Sequence, residues 1–150
     1  MLLYLDASAL VKRYVEEAGS RDVATAIEEA TAVATSLISR AEGAAALAKA
    51  VRVGSLSREE AQAAVQILRA EWADFVRVKL TELVVARADQ LAWRFGLRGY
   101  DAIHLASALH WQETMGEAVR FAAYDRRLWQ AGAESGLQPF PENFPTQIWP

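Results

Sequence analysis

The chain of 150 residues contains no cysteine. That excludes a disulfide framework, a thiolate nucleophile and a zinc site built on thiolates. Histidine is scarce, with only His104 and His110, so any metal must be held mainly through oxygen. Six residues apart on one predicted helix, the two histidines point in different directions, which argues against a ribonuclease mechanism built on a histidine pair. No stretch of eighteen apolar residues occurs, as a membrane-crossing helix would need. The opening, MLLYLDASAL, shows neither a basic leader nor a small-residue cleavage site, so the expectation is a soluble, cytoplasmic protein with no membrane partner. Positive charge is not in excess either, since 16 Lys and Arg face 19 Asp and Glu for a net charge of −3. A broad basic surface that binds nucleic acid by neutralising phosphates is therefore unexpected. An acidic protein can still act on a polyanion where metal ions reverse the local field. Nucleotide-binding loops of the GxxxxGK[ST] and GxGxxG kinds are missing, as is the GxSxG of serine hydrolases.

What is present is a 53% apolar share, enough at this length for one core and a single domain over 1–150. Residues 2–5 form an apolar run that stops at Asp6, and Leu10, Val11, Tyr14 and Val15 then follow helical spacing over 7–17. After a break at Gly19 and Ser20, Val23, Ala26, Ile27 and Ala30 mark the inner face of a second helix, and 31–35 leans to strand. An alanine-rich helix over 37–53 closes at Gly54. Ser57 with Glu60 is a capping-box signature for a helix running to about Trp72, so these two helices are expected to form a hairpin. Its alanines fit either close packing or a groove for a partner's helix. Beyond it come a strand over 75–80, helices over 82–95 and 100–112, a strand over 119–124 that stops at Asp125, and a helix over 126–133. The tail from Pro139, with its four prolines, is expected to be irregular and to run along the surface. Trp72, Trp93 and Trp111 fall in helical patterns and are read as core or interface. Strands alternating with helices predict an α/β fold, a three-layer α/β/α sandwich on a central, mainly parallel sheet. In such sheets ligands bind beyond the carboxyl ends of the strands.

Asp6 and Asp125 each follow a predicted strand directly, and Asp101 opens a helix after the loop that holds Gly96 and Gly99. Any one of them reads equally well as a helix N-cap. Together they suggest a shared edge. Glu42 lies within the helix over 37–53, on the side expected to carry Ile38, Ala41 and Ala45, with no lysine or arginine three or four residues away to pair with it. Carboxylates gathered within about 4 Å repel by roughly 4 kcal/mol per pair at an effective dielectric near 20. A cation is needed among them, and Mg2+ or Mn2+ suits an all-oxygen set that keeps positions open for phosphate. The chemistry inferred is phosphodiester hydrolysis. His104, one turn after Asp101, is read as a hydrogen-bonded structural histidine, with support of the acids as the alternative. Arg40, Arg98, Arg126 and Arg127 flank the acids, where they either balance the carboxylates, meet phosphate or are simply solvated.

Four segments, LYLDASALVKRY, SLISRAE, GLRGYDAIHLASAL and VRFAAYDRRLWQAG, stand in this order across nearly the whole chain. In that order they resemble the motifs of PIN-domain nucleases, and within them the VapC-type toxins of bacterial and archaeal toxin-antitoxin pairs. The resemblance implies that Asp6, Glu42, Asp101 and Asp125 surround one or two Mg2+ or Mn2+ ions, that Ser8 helps hold Asp6, and that RNA is the substrate. It also implies a cognate VapB-like antitoxin whose tail crosses the acidic cleft, and a homodimer. One departure is Ala123, where the family often has threonine or serine two residues before the fourth acid. Asp125 then either lacks one supporting hydrogen bond or meets the metal through water. Ala123 and the acidic net charge leave open a non-catalytic PIN-like module that binds RNA or protein. A structure-specific DNA nuclease ranks below both, because no DNA-clamping element is recognisable.

Overall fold

The computed structural model describes residues 1–144. Its centre is β1 (Leu2–Leu5), buried along its whole length. A strand covered on both faces needs no polar alternation, which is why its sequence reads as one apolar run. Side chains nevertheless alternate between two cores: Leu2 and Tyr4 enter one, Leu3 and Leu5 the other. On either side of β1 lie β2 (Ala32–Ser36) and β4 (Val119–Ala122), flanked by β3 (Val76–Val78) and β5 (Gln138–Phe140), in the order β3-β2-β1-β4-β5. Every pairing is parallel, with Leu2 opposite both Ala32 and Val119.

Helices cover both faces. α1 (Ala7–Lys12), α2 (Ser20–Glu29) and α4 (Arg58–Glu71) deliver Leu10, Val23 and Leu68 to the Leu3/Leu5 side, while α5 (Glu82–Phe95), α6 (Gly99–Met115) and α7 (Arg126–Glu134) deliver Leu91, Leu105 and Leu128 to the Tyr4 side. The architecture is the expected three-layer α/β/α sandwich. α3 (Ser39–Arg52) and α4 form the anticipated hairpin, with Leu47, Ala61 and Ala64 buried between them. Both bonds of the Ser57/Glu60 capping box are made, each at 3.0 Å. No helix among the described residues is long and apolar enough to cross a membrane.

Several local expectations need correction. α1 ends at Lys12, well short of residue 17, because Arg13 and Tyr14 donate to Leu10 and Val11 in a tightened turn, and Lys12 Nζ reaches the Ala18 carbonyl at 2.7 Å. β3 is only three residues long, shorter than the expected 75–80, and Phe75 before it closes a 3-10 turn over 72–74 by donating to Trp72 O. The tail does contain regular structure: β5 places Pro139 opposite Phe121, and Ala123 N–H donates to Phe140 O. A proline is tolerated there because an edge strand bonds on one side only. Residues 145–150, the rest of the expected irregular tail, lie outside the described residues. Trp72 and Trp111 are core, but Trp93 is 91% exposed. The inner stripe of α5 is Val84, Ala88 and Leu91, and Trp93 falls on the opposite side.

Candidate active site

Asp6 emerges where β1 ends and caps α1. Its Oδ1 accepts from Ala9 N–H at 2.8 Å and from Ser8 Oγ at 2.7 Å. Ser8 Oγ in turn accepts from Tyr124 N–H at 3.1 Å, and Asp6 N–H donates to Ala122 O, so the ends of β1 and β4 are tied together at this point. Only 3% of Asp6 is exposed. Burial pushes its carboxyl up to about 6, against the opposing influence of His104, Ser8 and the Ala9 N–H, while the neighbouring Asp101 adds to the rise.

Thr35 and Ser39, both fully buried, connect β1, β2 and α3. Thr35 Oγ1 donates to Leu5 O at 2.6 Å and shares a second 2.6 Å bond with Ser39 Oγ. This anchors the first turn of α3 beside the end of β1 and places Glu42, one turn further on, over the same edge. The buried face of α3 is Ser39, Gly43 and Leu47, whereas Ala41 and Ala45 are exposed. Glu42 thus borders the apolar stripe on its other side, a correction to the expected neighbours. What draws it inward is a bond from α6: His104 Nε2 lies 2.7 Å from Glu42 Oε1.

Asp101 sits in the first turn of α6, mostly buried, and accepts from Arg98 Nε at 3.0 Å. Burial raises its pKa, the Arg98 guanidinium opposes that, and the Asp125 charge adds to it. Asp125 follows β4, caps α7 through Leu128 N–H at 3.0 Å, and is the most exposed of the four acids. Arg98 NH2 stands 3.9 Å from its Oδ2. Ala123 is fully buried in the core and supplies no hydroxyl to Asp125. A cavity of about 440 Å3 borders the edge, walled by Ala7, Val11, Ala46 and Tyr124, with Glu42 and Asp125 at its rim.

Asp6, Glu42, Asp101 and Asp125 thus come from four elements to one edge of the sheet, with Ser8 on Asp6 as anticipated. Among the described residues, however, no three acidic or histidine side chains are drawn close enough to hold a cation as they stand. The cause is visible in their partners. Arg98 bridges Asp101 and Asp125 as an internal cation, and Glu42 is turned toward His104. The oxygens not engaged in these bonds, Asp6 Oδ2 and Glu42 Oε2 among them, are hard donors of the kind Mg2+ or Mn2+ favours. Of the flanking arginines, Arg127 donates to Gly96 O and Arg126 lies over the Phe144 ring. Tyr4, Thr35 and Ser39 were not singled out by sequence reasoning. The only signal for the latter two is the hydroxyl-rich TSLIS stretch, and Tyr4 is hidden in an apolar run.

The PIN domain family model matches residues 3–132. Ribonuclease VapC45 and Ribonuclease VapC49, from two strains of Mycobacterium tuberculosis, are each 36% identical to the chain over 141 residues, covering 93% of it and 95% of the relative. Two solved structures resemble its fold: FitAcB from Neisseria gonorrhoeae, with TM-score 0.61 and 19% identity over 89% of this chain and 94% of that one, and VapBC2 from Rickettsia felis bound to a promoter DNA fragment, with TM-score 0.57 and 12% identity over 83% and 88%. At those identities the solved structures speak to the fold alone.

Proposed function

The chain belongs to the PIN domain family, and from that premise we propose that it is a Mg2+- or Mn2+-dependent endoribonuclease, the toxin of a VapBC-type toxin-antitoxin pair. The observation that carries this reading is the convergence of Asp6, Glu42, Asp101 and Asp125 at the carboxyl edge of the parallel sheet. In it, these four carboxylates hold the ion and Ser8 keeps Asp6 oriented. A bound divalent ion there supplies Lewis acidity, lowering the pKa of a water and offsetting charge that develops on the phosphate. Both bonds to Asp6 fall on Oδ1, which leaves Oδ2 for the ion. Burial raises the Asp6 carboxyl, and positive charge beside it would lower it again and favour the carboxylate. Arg98, with 78% of its side chain exposed, is free to turn outward at little cost. From there its planar fork suits an RNA phosphate, so one residue neutralises the acids in the free protein and the substrate in the complex.

A VapB-like antitoxin and a homodimer belong to the same reading. An open groove of about 670 Å3 runs along the α3/α4 hairpin, lined by Leu47, Val51 and Val65 together with Arg52, Arg58 and Arg69, and this mixed lining suits an amphipathic helix of the antitoxin. The decisive experiment incubates antitoxin-free protein with a panel of cellular RNAs. Cleavage is expected with Mg2+ or Mn2+, and loss of it with a chelator or in the Asp101→Asn variant. Intact RNA throughout, with metal present, overturns the nuclease assignment. Because Ala123 denies Asp125 a supporting hydroxyl, a second reading, a non-catalytic binding module, is tested by Mn2+ calorimetry at pH 8. Folded protein that takes up no Mn2+ favours it.

A further inference from the structure

His104 is 1% exposed, yet both of its ring nitrogens are bonded across the core of the site. Nε2 is 2.7 Å from Glu42 Oε1 and Nδ1 is 2.9 Å from the Tyr4 hydroxyl. A carboxylate only accepts hydrogen bonds, so Nε2 carries the proton in the first contact. In the Nε2–H tautomer Nδ1 is an acceptor, and the Tyr4 O–H donates to it. Tyr4 is completely buried. Its ring stacks on Phe121 at 5.7 Å and meets the imidazole edge-on at 5.9 Å. The hydrogen-bonded chain thus starts on the central strand, passes through α6 and ends on a carboxylate of α3, linking positions 100 and 62 residues apart.

We propose that the Tyr4–His104 pair is a positioning relay for Glu42: Tyr4 selects the Nε2–H tautomer of His104, and His104 holds Glu42 Oε1 so that Oε2 is presented to a divalent cation. The proposal rests on reading Glu42 as a metal-holding acid. A glutamate has three side-chain torsions to freeze, and Glu42 has no lysine or arginine three or four residues away on its helix to restrain it. The relay freezes them before the cation arrives. Groups that orient a ligand in this way commonly change metal affinity by about 10- to 100-fold when removed. His104 is a positioning residue here, since its two bonds leave it no nitrogen to offer a substrate.

The test uses the full chain and Mn2+ without RNA. Calorimetry is expected to show His104→Leu binding Mn2+ roughly 10-fold or more weakly than wild type, Tyr4→Phe several-fold more weakly, and His104→Gln, whose amide N–H still donates to Glu42, recovering most of the loss. The His104→Leu effect should vanish in a Glu42→Gln background. Nitrogen-15 spectra of the imidazole are expected to show the proton on Nε2 in wild type, and a shifted tautomer balance in Tyr4→Phe, which reads the relay even where His104→Leu fails to fold. With RNA, kcat should fall in the variants while KM stays near wild type. A wild-type ring protonated on Nδ1, or Mn2+ affinities unchanged in folded Tyr4→Phe and His104→Leu proteins, overturns the relay alone. Wild-type protein that binds no Mn2+ overturns the metal site on which it rests.

Discussion

Burial and hydrogen bonding pull Asp6 in opposite directions. Its Oδ1 accepts two hydrogen bonds that favour the charged form, but desolvation is larger and lifts the carboxyl to about 6. An unfolded aspartate titrates near ~3.9. Between about 4 and 6 the native state therefore holds a proton that the unfolded chain has released, so stability is greatest below this window and declines as pH rises through it. In a chelator, urea denaturation of wild type from pH 4 to 7 should lose roughly 2 to 3 kcal/mol through Asp6, and Asp6→Asn should lack that part of the decline. Mn2+ added at pH 7 should restore the loss in wild type only. Equal pH profiles for the two proteins would remove Asp6 as the source. Ser8 links Asp6 to the end of β4, so Ser8→Ala should cost about 1 to 2 kcal/mol, read as a lower denaturation midpoint, and weaken Mn2+ binding. The acids at this scale were legible because a carboxylate that ends a strand or opens a helix is conspicuous against the run beside it. Tyr4 was not: nothing in LLYL distinguishes a phenol that packs from one that also donates.

At the level of elements, α7 lies so close to β4 that a Cβ on Gly132 would stand 2.6 Å from Phe121 Cδ2. Helix propensity alone predicts that Gly132→Ala gains about 1 kcal/mol. Overpacking against a buried ring predicts a loss of about 1 to 3 kcal/mol, and the contact is short enough for the loss to dominate. Equilibrium denaturation decides between them by sign, and a stabilised variant would show that α7 has room to move. The capping box makes a separate, smaller prediction: Ser57→Ala should lower stability by about 1 kcal/mol, in melting experiments, without altering Mn2+ affinity. Most helices were readable from their periodicity and stops. The failures have separate causes. α1 was read too long because Tyr14 and Val15 keep helical spacing in a segment that turns away, with Lys12 reaching back to Ala18. β5 was missed because Pro139 suits a strand only at an edge. Trp93, read as core or interface, is not core, because a helical pattern does not say which way a helix faces.

Over the whole molecule, the topology brings four acids from distant positions to one edge of the sheet. Parallel strands all end on one side, so residues that follow β1 and β4 must share an edge, and the first turns of α3 and α6 join them there. Arg98 gives that edge an internal counter-ion, and its removal has an expected consequence. Arg98→Ala should bind Mn2+ more tightly, since no guanidinium competes for Asp101 and Asp125, and should bind RNA more weakly if the same side chain meets phosphate. Calorimetry and filter binding measure the two, and unchanged Mn2+ affinity would show that Arg98 does not compete with the ion. The amino-acid sequence alone determined the layer architecture, the helix hairpin, and the acids with Ser8 beside the first of them. Periodicity, caps and strand ends are all written within a few neighbouring residues. Only the tertiary structure decided that Glu42 turns to His104, that Tyr4 stands behind both, and that Arg98 spans two acids. Those pairings join distant positions, and they form where packing brings strands and helices together, which no local pattern specifies.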